Sequence, residues 1–254
     1  MLFAPTRRLA LAVLPAVLPA ILGSSACRTA APAPAAVSRA PSTEAGETRG
    51  PPTEPGWQTL AQEDGITVSS RPSEHSPLPV FRGVGLVNAP LPTVLAVVAD
   101  AARHQEWVFS CSDSGMVQRR GPASGIVYNR TATPWPVPDR DVVLDIEVDV
   151  GAGEREVRVR FSATEHPDRP PVDGVVRMTY LVGHYHLWAE GEGRTRVEYQ
   201  VDSDPGGSLP TWLATRGTRE MPLQTLLGLR AQLERTQGQY TEQVEAIREQ
   251  IRAR

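Results

Sequence analysis

Between Asp141 and Ala163 apolar residues return at every second position, in two runs separated by glycines. Val142, Leu144, Ile146 and Val148 fall on one side of an extended chain, opposite Val143, Asp145, Glu147 and Asp149. After Gly151-Ala152-Gly153, the residues Val157, Val159, Phe161 and Ala163 repeat the pattern against Glu156, Arg158 and Arg160. A period of two cannot gather these side chains on one face of a helix. The segment is therefore read as an antiparallel hairpin with one face to bury. Its charges predict a register, Glu147 opposite Arg158 and Asp145 opposite Arg160. The apolar pairs are then Val148–Val157, Ile146–Val159 and Leu144–Phe161. Exposed ion pairs contribute roughly a few tenths of a kcal/mol each, so burial of the apolar face dominates.

Further strands are predicted at 65–70, 80–88, 116–119, 125–132, 175–181, 184–190 and 194–202. Val197, Tyr199 and Val201 are the inward set of the last one. Pro90 and Pro92 suit the first turn of a helix that gathers Val94, Leu95, Val98 and Ala102 and ends near Trp107. A long helix follows the turn at Asp204–Ser208, with Ser208 as N-cap and Pro210 in its first turn. Leu209, Trp212, Leu213, Leu223, Leu226, Leu227 and Leu233 form its stripe, and Pro222 is expected to kink or interrupt it at Met221. A sheet with one apolar face needs a cover, and this helix is the obvious one, which makes the class α+β. Beyond Leu233 the chain is strongly charged, with a thin stripe of Tyr240, Val244, Ile247 and Ile251. It is read as a solvated helical extension or a dock for a partner helix.

The start of the chain has a different character. Arg7 and Arg8 precede an apolar run from Leu9 to Leu22, broken by Pro15 and Pro19. A bilayer span needs about 20 residues, so the run fits a secretory signal instead. Small residues then lead to Cys27, which reads as the lipidated first residue of a bacterial lipoprotein; cleavage at Ser24-x-Ala26 with plain secretion is the alternative. Residues 28–56 are rich in alanine, proline and small polar groups and cannot bury enough apolar area to order themselves. The expected organisation is a signal peptide over 1–26, a tether over 27–56, a folded domain over 57–235 and a charged tail over 236–254. The expected place is the periplasm, with an outer-membrane anchor. All 26 cations are arginine, the formal net charge is −3, and no basic patch stands out, which argues against nucleic acid. With only Cys27 and Cys111 there is no disulfide framework.

Four spaced motifs carry a resemblance. Pro134-Trp135-Pro136-Val137-x-Asp139-Arg140-Asp141, Asp204-Pro205-Gly206-Gly207-Ser208-Leu209-Pro210-x-Trp212-Leu213, the helix end Asp100…His104-x-Glu106-Trp107, and Gly193-Arg194-Thr195-Arg196-Val197-x-Tyr199 occur in this order. Together they resemble the bacterial START-domain proteins of the helix-grip superfamily. The resemblance implies a curved antiparallel sheet wrapped around a long C-terminal helix, with a hydrophobic tunnel between them that holds one lipid-like molecule. Its walls are assigned to Tyr128, Trp135, Leu144, Ile146, Val159, Phe161, Met178, Tyr180, Tyr199, Trp212, Leu213 and Leu226. Arg140 and Asp141 are assigned as a structural clamp, with a ligand headgroup as the sharper alternative for Arg140. Trp135 is either core or part of the cavity wall or mouth. The expected partners are a lipid and a membrane, reached by the anchor, and the protein is expected to be a monomer without cofactor or catalytic residue.

Two rivals stand beside this reading. A helix-grip cyclase or hydratase needs polar groups converging in the cavity, and Arg177, Tyr180 and Tyr199 are the candidates. A scaffold or sensor needs a protein partner for the tail. His184-Tyr185-His186 with Glu190 has metal-ligand spacing on a strand but lacks a third histidine motif, so no metal is expected.

Overall fold

A computed structural model of the chain describes residues 56–151, 155–209 and 211–252. The signal segment, Cys27, the tether up to residue 55, the centre of the Gly151–Gly153 turn and Pro210 lie outside these residues.

Among the described residues, ten strands and three α-helices follow one another. β1 is Gln58–Glu63, β2 Ile66–Arg71 and β3 Val80–Val87; α1 is Leu91–Ala99, continued by a 3-10 turn over Ala101–Glu106. β4 is Cys111–Gly121, β5 Ser124–Thr131, β6 Asp139–Val150, β7 Glu156–Thr164, β8 Val175–Arg177, β9 Tyr180–Ala189 and β10 Thr195–Asp204. α2 is Thr211–Arg235 and α3 Thr241–Arg252. Nine strands form one antiparallel sheet in the order β1-β2-β3-β10-β9-β7-β6-β5-β4, and β8 lies parallel to the start of β6. α2 packs on β1, β2, β3 and β10. Leu226 and Leu229 of α2 are fully buried with Ile66, Val68, Leu187 and Val197 of the sheet. Gly83 of β3 makes close contact possible, because a Cβ there would stand 3.0 Å from Pro222 Cβ and 3.1 Å from Leu226 Cδ1. No helix among the described residues is long and apolar enough to cross a membrane.

The hairpin of β6 and β7 has the predicted faces but another register. Glu147 faces Arg160 and Asp149 faces Arg158, so Val148 pairs with Val159, Ile146 with Phe161 and Val150 with Val157. A slip of two residues keeps every side chain on its face; it sets Asp145 opposite Ser162 and removes the like-charge pair of Asp149 with Glu156 that the predicted register would make. The apolar alternation alone therefore could not separate the two pairings, while the Asp149–Glu156 clash weighs for the observed one.

Three further expectations are corrected, and one strand is added. No strand was predicted over Gln58–Glu63, yet β1 pairs with β2 through the two-residue turn Asp64-Gly65, whose φ angles are 51° and 69°. The break predicted between 181 and 184 does not exist, since β9 runs unbroken through Gly183. That glycine serves close approach rather than a turn: a Cβ there would meet the Phe161 ring and lie 2.5 Å from Gln200 O. α2 likewise is not interrupted at Met221 but runs through Pro222, whose ring is buried against β3. The charged tail is not a solvated extension. After Gly238, with φ of 79°, it turns into α3 and packs on α1, burying Tyr240 and Val244; Tyr240 Oη donates to Asp100 Oδ2 at 2.8 Å.

Candidate functional site

The inward row of β6 is Arg140, Val142, Leu144, Ile146 and Val148, and all five line one cavity of about 520 Å³. Val159 and Phe161 of β7, Leu181 and Tyr185 of β9, Tyr199 and Val201 of β10, and Phe81 of β3 continue the wall. Leu213, Gly217 and Met221 of α2 line it from the helix side, and Val98, His104 and Val108 from α1 and the segment after it. Exposed lining residues, Met116, Arg119, Thr131, Ala132 and Pro134, mark where it meets solvent along β4, β5 and the loop that follows. The volume falls within the ordinary range for small-molecule sites, about 300–1,000 Å³.

Three rings form the floor. Tyr185 and Tyr199 stack at 4.8 Å between centroids, with Phe161 6.0 and 6.5 Å from them. Trp107 meets Tyr185 at 6.1 Å. Tyr199 Oη lies 3.9 Å from Met221 Sδ, a weak contact, and burial pushes both phenols well above their usual pKa. Uncharged rings with few polar neighbours suit contact with hydrocarbon rather than proton transfer.

His104 and Arg140 are among the polar groups that interrupt the apolar wall. His104 Nε2–H donates to Val98 O at 3.0 Å, which sets its tautomer, and Nδ1 faces the Asn129 carboxamide at 3.4 Å. Burial holds its pKa below the usual value, so it stays neutral near pH 7. Arg140 is 3% exposed. Its Nη1 donates to Pro138 O at 2.5 Å, and Nη2 lies 3.4 Å from Gly206 O and 3.5 Å from Ser208 O. The side chain thus ties the start of β6 to the loop before α2, on carbonyls rather than on a carboxylate.

The flanking acids point the other way. Asp139 accepts from Arg130 Nε at 2.9 Å and from Thr133 N at 3.0 Å. Asp141, 1% exposed, accepts from Arg177 Nε and Nη2 at 2.8 and 2.9 Å and from Tyr128 Oη at 3.2 Å. The hydrogen bonds from Arg177 to Asp141 raise the arginine's pKa further. Alternation explains the Asp-Arg-Asp spacing: two carboxylates fasten the outer layer while the central cation turns inward.

Of the residues assigned to the wall, Leu144, Ile146, Val159, Phe161, Met178, Tyr199 and Leu213 line the cavity. Four others stand elsewhere. Tyr128 faces the outer layer, packed with Ile126 and Val143 under Arg169, because β5 turns Val127 and Asn129 inward instead. Tyr180 stands at the start of β9, bonded to Asp202 Oδ2 at 3.0 Å and beside His75. Leu226 is buried between α2 and β3, beyond the cavity. Trp135 is not core and does not line the interior: it is 92% exposed at the tip of the proline loop, next to Pro134, which lines the cavity at its mouth. The Trp212 side chain lies outside the described residues. Of the three polar candidates for catalysis, Arg177 serves Asp141, Tyr180 serves Asp202, and Tyr199 alone lines the cavity.

Sequence reasoning missed Tyr185, Asn129 and the lining role of His104. The phase of β9 held the signal for Tyr185, since His184 and His186 share one face and their neighbour must take the other. Those histidines lie on the outer face, His184 with Glu198 at 3.0 Å and His186 between Glu156 and Arg158, while Glu190 pairs with Arg196. No metal-ligating group of three exists among the described residues.

An antiparallel sheet, a long helix laid across it and an apolar cavity between the two define a helix-grip protein. The sequence model of the START domain matches residues 47–235, about three quarters of the chain, and the protein belongs to the START-domain family. It is 33% identical over 180 residues to an uncharacterised protein of Pseudomonas aeruginosa, covering 70% of this chain and 87% of that one. Over 165 residues it is 24% identical to the phosphatidylcholine transfer protein of Bos taurus, covering 62% of this chain and 74% of the other. Among solved structures, a fragment of a STAR-related lipid transfer protein from Xanthomonas axonopodis superposes with a TM-score of 0.63 at 32% identity, over 70% of this chain and 99% of that one.

Proposed function

We propose that this protein binds one lipid-like molecule inside the sheet–helix cavity and carries or senses it in the cell envelope, without chemical turnover. The observation that carries the reading is the cavity of about 520 Å³, whose wall is made chiefly of aliphatic and aromatic side chains on β6, β7, β9, β10 and α2. An apolar ligand gains roughly 25 cal/mol per Å² buried, so shape and apolar contact supply affinity without reactive groups. The transfer proteins it is similar to support the same reading. Lipidated Cys27 would anchor the chain to the outer membrane, and a tether of about 29 residues would reach about 30 Å as a coil. Exposed Trp135 beside Pro134 supports contact between the rim of the cavity and a bilayer surface, where an indole has both apolar and polar partners.

Native mass spectrometry of the protein purified from its own host tests this directly. The expected result is a mass increment matching one lipid. Recovery of the bare protein only, together with no transfer of fluorescent lipids between vesicles, would refute it.

A further inference from the structure

The inward row of β6 has the order of an amphiphile. Arg140 stands first, and Val142, Leu144, Ile146 and Val148 follow. Eight steps of about 3.4 Å, from Arg140 to Val148, give this row a length of about 27 Å. A lone buried cation at the head of a greasy strip is costly unless a negative group faces it, since an unpaired ion loses several kcal/mol of hydration. Among the described residues no carboxylate forms an ion pair with Arg140, and the nearest charge acting on it, Asp139, is spent elsewhere. Asp139 is committed to Arg130 and Asp141 to Arg177, both on the other face of the strand. The segment from Pro205 to Arg219, which brings Gly206 O and Ser208 O to Arg140, contains no acidic residue.

The existing contacts leave the guanidinium under-used. The carbonyls at 3.4 and 3.5 Å sit at the long limit of hydrogen bonding. Nε is buried without a partner among the described residues. A structural clamp would need the two Nη groups only. The planar fork of an arginine fits a carboxylate or a phosphate in two-pronged fashion.

We propose that Arg140 is the headgroup site of the cavity and selects an anionic lipid, with a carboxylate or phosphate at Arg140 and its chain along Val142, Leu144, Ile146 and Val148. The cavity volume, about 520 Å³ or about 17 waters at ~30 Å³ each, suits a single long chain, a methylene being of similar size. This inference rests on the lipid-binding reading and goes beyond it by naming the ligand's charge and the residue that reads it.

The test compares oleate with oleyl alcohol, which has the same chain and no charge, on the full-length delipidated protein. Oleate should bind about 10- to 100-fold more tightly, the worth of a charge-assisted hydrogen bond in a dry site. Arg140→Gln should abolish this preference, and Arg140→Lys should restore part of it. Equal binding of both probes to the unaltered protein would overturn the headgroup site and leave the lipid-binding reading intact. Binding of neither would defeat the lipid-binding reading itself. Saturable binding of inorganic phosphate, with no preference for oleate over the alcohol, would reduce the site to one for a free anion. Loss of the preference in Arg119→Gln would place the charge reader at the rim and refute the assignment to Arg140. If Arg140→Gln does not fold, carboxyl-labelled oleate bound to the unaltered protein decides. Its 13C resonance should stay ionised to lower pH than in free micellar oleate, and an unchanged titration would refute the pairing.

Discussion

Replacing Asp141 by asparagine isolates the outer half of the Asp-Arg-Asp motif. The carboxylate is buried and accepts two bonds from Arg177 and one from Tyr128. Asparagine keeps the shape, removes the charge and turns an amide toward a cation. Removing one partner of a buried pair costs about 3–5 kcal/mol, mostly because the other charge is stranded. Arg177 retains Arg169 O at 3.0 Å and Pro170 O at 3.2 Å, so the lower end, about 3 kcal/mol, applies. For a domain of this size that loss lowers Tm by roughly 6–12 °C. Thermal unfolding by circular dichroism, backed by urea titration, measures it. The double variant Asp141→Asn, Arg177→Gln should recover part of the loss, giving a coupling of about 1–3 kcal/mol. Lipid affinity should stay within twofold, because Asp141 faces away from the cavity. A loss below about 1 kcal/mol, or no coupling between the two sites, would refute the view that this pair fastens the start of β6.

Leu144→Trp should fill part of the cavity, lowering lipid affinity at least roughly tenfold with little change in Tm; isothermal titration and calorimetry check both sides. Trp135→Ala should leave stability within about 0.5 kcal/mol, as expected for an exposed side chain, while slowing lipid transfer between vesicles severalfold. Stability should fall as pH drops below the unfolded histidine value of about 6.5, because burial depresses the folded pKa of His104 and His186, so the unfolded chain binds the extra protons. His104→Gln should reduce that slope, as read from urea midpoints between pH 7 and 5, and an unchanged slope would exclude His104 as a source. Gly183→Ala should destabilise by about 1–3 kcal/mol, since its Cβ would press on Phe161 and Gln200 O, and a neutral effect in denaturant titration would count against that contact.

Period and punctuation determined much of this protein from the sequence alone. Alternation in 142–149 and 157–163 marked two strands and their inner faces, and five of the wall residues chosen there or on β10 line the cavity: Leu144, Ile146, Val159, Phe161 and Tyr199. The spaced proline, tryptophan and Asp-Arg-Asp motifs were enough to recognise the family. Tertiary structure decided what a periodic pattern leaves degenerate. A two-residue slip of the β6–β7 hairpin preserves both faces, so the apolar alternation does not pick the pairing. Gly183 and Pro222 read locally as interruptions, yet packing against Phe161 and against β3 turned both into contacts within continuous elements. Trp135 was large and apolar and still came to lie in solvent, because its prolines hold the loop outside the sheet. The phase of β6 already turns Arg140 toward the cavity, but only the folded sheet supplies Arg130 and Arg177 to the two acids and leaves the arginine with carbonyls alone.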